Sequence, residues 1–108
     1  MHYGLTDKEW KGLLDVFAAN GCIEQAILYG SRAKGNFKPF SDVDITLMGK
    51  DLSRKDLIRL SLAIDDLLLP YQVDLSLYHA LGNKDLIDHI NRRGVVVYKR
   101  KESQRITS

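Results

Sequence analysis

Apolar residues recur at helical spacing in three segments of the chain. In the first segment Trp10, Leu13 and Phe17 lie three or four residues apart, as on the buried face of an amphipathic helix. Each segment follows a typical N-terminal capping residue and precedes a glycine or proline that favours a helix end. We therefore predict helices that begin after Thr6, Ser53 and Asn83 and end near Gly21, Pro70 and Gly94. The longest carries its apolar stripe at Leu57, Leu60, Ile64 and Leu67 or Leu68.

Four shorter segments have the apolar or alternating pattern of β-strands, at residues 26–29, 42–48, 71–78 and 95–98. In the second of them Val43 and Ile45 face a core, while Asp42 and Asp44 share the opposite face, because side chains alternate along a strand. The third repeats this alternation with Asp74 on its polar face. A helix separates these two strands, so they can lie parallel in one sheet. We therefore expect Asp42, Asp44 and Asp74 to converge on one open face.

The order of these elements predicts an α/β (α+β) fold, with a small mixed sheet of about four strands and helices packed on one face. Residues 26–29 are almost continuously apolar, which predicts a central strand, whereas residues 95–98 are expected to form an edge. We predict a single domain over residues 1–98 and a basic, mobile tail over residues 99–108.

Composition narrows the class of protein. The chain has 108 residues, of which 44% are hydrophobic and 28% charged, as is usual for a globular domain. No apolar run approaches the roughly 20 residues that span a bilayer, and we see no secretory signal, so a cytoplasmic protein without a membrane is expected. The net charge of +2 does not favour nucleic acid as a partner. The single cysteine, Cys22, allows no internal disulfide.

Three converging carboxylates repel one another unless cations neutralise them, and oxygen ligands of this kind select Mg²⁺ or Mn²⁺. Two such ions can clamp the attacking and leaving oxygens of a displacement at phosphorus. In that arrangement Asp42 and Asp44 would hold both ions. Asp74 would bind the ion next to the attacking hydroxyl and could take its proton. These three residues are our predicted catalytic and metal-binding set.

The turn before the aspartates could bind a nucleotide. Gly30 permits close approach of the backbone to phosphates, and Ser31 adds a hydroxyl and backbone N–H donors. Arg32 or Lys34 could offset charge on the leaving group. We also include Ser41, the residue before Asp42, in the predicted nucleotide-binding set. Each feature alone is common in a solvated strand or an ordinary turn, so the prediction depends on their combination.

The spacing of these residues resembles that of a known superfamily. Gly30-Ser31, followed after ten residues by Asp42-x-Asp44, with Asp74 as the third acid, resembles the signature of the DNA polymerase β-type nucleotidyltransferases. The fuller string GSRAKGNFKPFSDVDITLMG is similar to the minimal nucleotidyltransferase (MNT) domains. The resemblance implies a polymerase β palm-like fold. It also implies Mg²⁺-dependent transfer of a nucleoside monophosphate, expected to be AMP from ATP, to a hydroxyl.

The resemblance also implies a partner. Stand-alone MNT domains often act as antitoxins that adenylylate a tyrosine on a HEPN-domain toxin, so a HEPN-type partner is expected to supply the acceptor. The alternative is a non-catalytic module that binds nucleotide or neutralises its partner by complex formation, although three intact acids favour the enzyme. Antibiotic modification and nucleic-acid polymerisation are disfavoured because an acceptor domain and a template-binding domain are not evident. A homo-oligomer is left open.

Overall fold

A computed structural model describes residues 2–100. Four helices and four strands alternate along the chain: α1 (Asp7–Ala18), β1 (Gln25–Tyr29), α2 (Ser31–Lys34), β2 (Val43–Met48), α3 (Arg54–Asp65), β3 (Val73–Leu77), α4 (Lys84–Arg93) and β4 (Val95–Lys99), with a 3₁₀ turn at Tyr78–Ala80. The predicted caps are present. Thr6 and Ser53 form capping boxes with Glu9 and Asp56, and the Asn83 side chain accepts from the backbone N–H of Leu86.

The four strands form one mixed sheet in the order β3-β2-β1-β4. β2 and β3 are parallel, joined through α3, whereas β1 runs antiparallel to both β2 and β4. The prediction of a parallel pair is therefore confirmed, as are the inner position of β1 and the edge position of β4. The chain has the predicted fold class, a mixed α/β fold built on a four-stranded sheet.

The main core lies between the sheet and the helices α1 and α3. Leu13 and Phe17 of α1 and Leu60 and Ile64 of α3 are buried against one face of the sheet. Strand residues at alternating positions supply the other side of this core: Ala26, Leu28, Val43, Ile45, Leu47 and Leu77. Burial of these side chains drives the two helices onto the sheet, and it leaves the opposite face to the polar positions of β2 and β3.

Helix α4 contacts β1 from that opposite face. Ile90 of α4 is buried outside the main core, and Ile27 of β1 alternates with the core residues Ala26 and Leu28. A Cβ built on Gly94 would lie 2.6 Å from Ile27 Cγ2, which shows how closely the end of α4 approaches the strand. Helix α4 therefore lies on the face opposite α1 and α3, so the prediction that the helices pack on one face holds for α1 and α3 but not for α4.

The element ends differ from the prediction most at the end of α3 and at the start of β3. Helix α3 ends at Asp65 and does not reach Pro70, because the N–H groups of Leu67 and Leu68 close tighter turns onto Ile64 and Asp65. Leu68, a predicted position of the apolar stripe, has φ 55° and is 87% exposed. The third strand is predicted over residues 71–78, whereas β3 spans Val73–Leu77 and Tyr78 begins the 3₁₀ turn.

The C-terminal segment is described only in part. Lys99, which the prediction placed in the tail, is the last residue of β4, and the Arg100 N–H donates to the Glu24 carbonyl at 2.9 Å. The rest of the predicted tail lies outside the described residues. Within residues 2–100 the structure has no helix with the length and apolar character needed to cross a membrane.

Candidate active site

Two of the predicted acids face each other across neighbouring strands. Asp44 of β2 and Asp74 of β3 are register partners in the parallel pair, so their side chains lie on the same face of the sheet. Asp42 directly precedes β2 and is exposed. The expected juxtaposition of Asp44 and Asp74 therefore follows from the register. Their use in catalysis stays a prediction.

The electrostatics of Asp44 show that the three charges interact. Partial burial raises the pKa of the Asp44 carboxyl, and the negative charges of Asp74 and Asp42 raise it further. Among the described residues, no basic side chain forms an ion pair with these carboxylates. Asp74 instead accepts a hydrogen bond from the Gln72 side-chain amide at 3.2 Å. The cluster is therefore an uncompensated negative site.

Gly30 contacts the cluster directly. Its φ of 82° and ψ of −155° are values that residues with a Cβ rarely adopt. A Cβ built on Gly30 would lie 2.7 Å from Asp44 Oδ2. Glycine is therefore needed here for two reasons, the backbone conformation and the space that the Asp44 carboxylate occupies. The Gly-Ser turn and the aspartates form one connected site.

Ser31 and Lys34 lie at the two ends of the short helix that follows Gly30. Ser31 is the first residue of α2 and is half-buried, whereas Lys34 is the last and is exposed. The Lys34 N–H donates to the Gly30 carbonyl at 3.2 Å, which closes this single turn. Ser31 is thus held next to the glycine that touches Asp44, and Lys34 remains accessible to an anionic ligand.

Arg32 occupies a different environment from the rest of the predicted set. It is 2% exposed, and its guanidinium donates to the Ser41 carbonyl from Nε at 3.1 Å and from Nη2 at 2.6 Å. Nη1 donates to the Tyr3 carbonyl at 2.8 Å. The rings of Phe37 and Tyr71 lie 4.9 and 4.6 Å from the guanidinium carbon. The guanidinium is therefore buried and already hydrogen-bonded within the protein. These contacts do not favour the predicted contact of Arg32 with a nucleotide, which stays a prediction.

Ser41 accepts hydrogen bonds from the Arg32 guanidinium through its backbone carbonyl. Its hydroxyl accepts from the Lys38 N–H at 2.9 Å, and its own N–H donates to the Lys38 carbonyl at 3.1 Å. The carbonyl next to Asp42 is therefore fixed by Arg32, and the hydroxyl closes a local turn. The predicted nucleotide contact of Ser41 remains untested by this geometry.

A tyrosine and a glutamate extend the contacts of Arg32 to helix α1. The Tyr71 hydroxyl donates to Glu9 Oε1, which also accepts from the Thr6 N–H at 2.9 Å. The hydrogen bond from Tyr71 lowers the pKa of Glu9. Burial, together with this hydrogen bond, raises the pKa of Tyr71 to about 12. We call Glu9, Arg32, Ser41 and Tyr71 the arginine cluster.

Three further residues lie on the face of the carboxylates: alternation along β2 and β3 predicts Thr46 and Ser76 there without a functional role, and the sequence interpretation missed Tyr29. Tyr29 of β1 is the register partner of Asp44; burial raises the pKa of its hydroxyl, and the charges of Asp44 and Asp74 add to this. Thr46 and Ser76 are register partners one step further along β2 and β3. Both hydroxyl oxygens are buried; within the part of the chain that the structure describes, that of Thr46 has no hydrogen-bond partner, whereas the Ser76 hydroxyl lies beside Tyr29 and partly offsets the rise in its pKa. Alternation along β1, applied to Tyr29, would have placed it here.

Carboxylates in this arrangement fit a divalent cation by their chemistry. Asp42, Asp44 and Asp74 supply only oxygen donors, as Mg²⁺ requires, and the raised pKa of Asp44 shows that added positive charge would be favourable. Over residues 2–100, no three His, Cys, Asp or Glu side chains lie close enough together to form a finished metal site. A bound cation would therefore have to draw these side chains together.

Comparison with protein families identifies this fold. Residues 11–103 match the model described as polymerase beta, nucleotidyltransferase, which covers most of the chain. No match was found among curated protein sequences.

Solved structures with the same fold include several toxin–antitoxin complexes. A chain from a toxin–antitoxin structure with AMP-PNP has a TM-score of 0.66 and 20% identity, with 93% of this chain and 78% of that chain covered. A chain from the MntA–HepT toxin–antitoxin has a TM-score of 0.63 at 16% identity, covering 92% and 77%. A third chain comes from the complex of a tri-AMPylated Shewanella oneidensis HEPN toxin with MNT antitoxin. It has a TM-score of 0.64 and 15% identity, covering 92% of this chain and 76% of that chain. At these identities the similarity establishes the fold.

Proposed function

The chain belongs to the polymerase beta nucleotidyltransferase family, and from this premise we propose that it transfers AMP from ATP to a tyrosine hydroxyl of a HEPN-type toxin. It would thereby act as the antitoxin of the pair. The observation that carries the proposal is the pairing of Asp44 with Asp74 across parallel strands, with Asp42 adjacent and Gly30 against the Asp44 carboxylate.

Each residue of the site has a role in this reaction. Asp42 and Asp44 would hold two Mg²⁺ ions, and Asp74 would share one of them. When bound, these ions would neutralise the triphosphate and polarise the reacting phosphate. Backbone N–H groups and the hydroxyl at Ser31 would position the phosphates, and Lys34 would offset charge on the departing pyrophosphate.

The transfer itself is an in-line displacement. The acceptor hydroxyl oxygen forms a bond to the α-phosphorus, and the bond from this phosphorus to the bridging oxygen of pyrophosphate breaks. Asp74 accepts the proton of the hydroxyl, which makes the oxygen a better nucleophile. The products are an AMP–tyrosine ester and pyrophosphate.

Two of the structural neighbours support the choice of nucleotide and acceptor. One contains AMP-PNP, an ATP analogue, and another contains a tri-AMPylated HEPN toxin bound to an MNT antitoxin. The fold of this chain matches over more than nine-tenths of its length in both cases. We therefore propose a protein acceptor carried by the partner.

The experiment combines the purified chain with the protein encoded next to it, ATP and Mg²⁺, and measures the intact mass of both proteins. We expect the neighbour to gain the mass of one or more AMP groups. Replacing both acids in Asp42→Asn/Asp44→Asn should slow the transfer by about 10³-fold or more. Asp51→Asn is the matched control, since Asp51 is an exposed carboxylate in the turn just after β2.

The alternative is neutralisation without catalysis. A neighbour that binds tightly and loses its toxicity, but gains no mass with any nucleoside triphosphate, would contradict the enzyme and favour the binding module. Transfer that survives the double substitution would show that the active site lies elsewhere.

A further inference from the structure

The outer face of α3 carries exposed apolar side chains. Ile58 and Leu62 are 54% and 60% exposed, while Leu60 and Ile64 on the inner face are buried in the core. Lys55, Ile58, Leu62 and Asp66 follow one another at spacings of three or four residues, so they form one stripe along the helix. Beside the stripe lies a groove of about 330 Å³ between α3 and β3, lined in part by Leu57 and Leu75.

The charges on this face are segregated along the helix. Arg54, Lys55 and Arg59 lie toward its N-terminus, and Asp65 and Asp66 lie at its C-terminal end. Helices α1 and α4 instead carry internal ion pairs, Lys11–Asp15 and Asp88–Arg92. None of these five side chains has an ion-pair partner within residues 2–100.

This segregation is unfavourable for an isolated helix. The helix dipole favours acidic residues at the N-terminus and basic residues at the C-terminus. In α3 only Asp56 follows this rule in the first turn, and no basic residue lies in the last turn. A second helix that runs in the opposite direction would place acidic groups beside the basic end and basic groups beside the acidic end.

We propose that two copies of this chain associate through antiparallel α3 helices related by a two-fold axis. In a two-fold interface the same surface meets itself. Ile58 then packs against the partner's Leu62, at the centre of the contact. Arg54 faces the partner's Asp66, and Lys55 faces the partner's Asp65. Each of these contacts occurs twice, so the stripe is complementary to itself in both shape and charge.

The interface would be small. Helix α3 has twelve residues and is about 18 Å long. Contact along one helix of this length buries less area than the roughly 800 Å² per partner of a standard stable interface. We therefore expect a weak dimer, with a dissociation constant on the order of 10–100 μM. Helix α3 packs on the sheet face opposite the carboxylates. Both candidate active sites would stay open in the dimer.

The test measures molecular mass by sedimentation equilibrium over a range of protein concentration and at low and high salt. We expect a monomer–dimer equilibrium that weakens as salt screens the ion pairs. Reversing the basic end in Arg54→Glu/Lys55→Glu should weaken self-association at least about tenfold. Reversing the acidic end in Asp65→Lys/Asp66→Lys should do the same.

The two reversed variants provide a check that does not depend on wild-type behaviour. Each repels itself but is complementary to the other, so an equimolar mixture should form heterodimers. The fourfold variant that carries both reversals in one chain should regain self-association. Circular dichroism of each variant establishes that it is folded, and Arg92→Glu on α4 is the control for a charge change outside the interface.

Two results would overturn the proposal. One is a protein that remains monomeric at ~1 mM, well above the expected dissociation constant. The other is a dimer whose dissociation constant is unaffected by both reversals, or whose reversed variants fail to combine when mixed. The tests do not involve nucleotide transfer, so they are independent of the proposed reaction.

Discussion

Two polar clusters adjoin the β1–β2 connector, and they differ in how their charges are satisfied. In the arginine cluster, the guanidinium of Arg32 donates three hydrogen bonds to two carbonyls and contacts the rings of Phe37 and Tyr71. At the carboxylates, Asp42, Asp44 and Asp74 repel one another, and no described cation pairs with them.

This difference separates residues that stabilise the fold from residues available to a ligand. A buried polar group whose partners are all internal contributes to stability, because breaking it leaves its partners unsatisfied. Like charges that are held together without a counterion raise the free energy of the unliganded protein. A cation that binds between them removes this repulsion and stabilises the folded state. The connector is thus anchored at Ser41 by the first cluster, one residue before the second cluster begins.

The largest stability effect is expected at Arg32. Substitution to Leu should lower the free energy of unfolding by about 3 kcal/mol, because it leaves the Ser41 and Tyr3 carbonyls without their donor. Urea unfolding followed by circular dichroism measures this. Lys34→Leu is the control from the same helix, and as an exposed position it should change stability by less than about 0.5 kcal/mol. Equal stability of both variants would mean that the arginine cluster is not structural.

A smaller effect is expected at Tyr71. Removing its hydroxyl in Tyr71→Phe should cost about 1 kcal/mol near neutral pH, because the hydrogen bond to Glu9 is lost. The pKa of Tyr71 is raised in the folded protein, so its contribution is complete below the unfolded value near 10 and falls as pH rises toward 12. The lowered pKa of Glu9 means that its contribution falls as pH drops below about 4.5.

The measurement is the melting temperature of wild type and Tyr71→Phe from pH 3 to 11, a range set by these two ionisations. The difference between the two proteins should be greatest at intermediate pH and shrink toward both extremes. A difference that is constant with pH would contradict the pairing of Tyr71 with ionised Glu9. Tyr78→Phe is a matched control, since its hydroxyl bonds the neutral side chain of Asn91.

The smallest effect, with the opposite sign, is expected at Asp44. Its pKa is raised on folding, so the folded protein favours the protonated carboxyl. The contribution of Asp44 to the free energy of unfolding is therefore lost as pH rises through its folded pKa. Asp44→Asn should therefore melt at an equal or higher temperature than wild type at pH 7. The gain in free energy of unfolding should be less than about 1 kcal/mol, because the site is partly exposed.

Added Mg²⁺ should reverse this order. Wild type should gain stability as the ion binds to the folded state, and Asp44→Asn should gain less. The readout is thermal and needs no substrate. A clear loss of stability in Asp44→Asn without metal would show that Asp44 belongs with the structural residues, and the contrast between the two clusters would fail.

The sequence was informative where a periodic pattern reflects a local rule. Alternation in residues 42–48 and 71–78 was enough to predict that Asp44 and Asp74 lie on one face, because a helix between two strands favours a parallel pair. Capping boxes at Thr6 and Ser53 were equally visible, since they involve residues three positions apart.

Contacts between distant segments could not be predicted in this way. Arg32 reaches Tyr3, Ser41 and Tyr71, which lie on three separate parts of the chain. An arginine after a Gly-Ser turn is equally compatible with phosphate binding and with burial, and only the folded chain separates these roles. The end of α3 at Asp65 was missed because leucines continue the apolar pattern after the helix has stopped.

The contact between Gly30 and Asp44 also limits how the site can change by mutation. Any side chain at position 30 would have to enter the space of the Asp44 carboxylate, 2.7 Å from the Cβ position. The two positions are therefore coupled, and tolerance at one depends on the residue at the other. We expect substitutions at position 30 to be less harmful in backgrounds where residue 44 is smaller, but the φ of 82° and ψ of −155° keep glycine favoured in every background. Loss of the acid would therefore relieve the steric conflict at position 30 and leave the conformational preference for glycine in place.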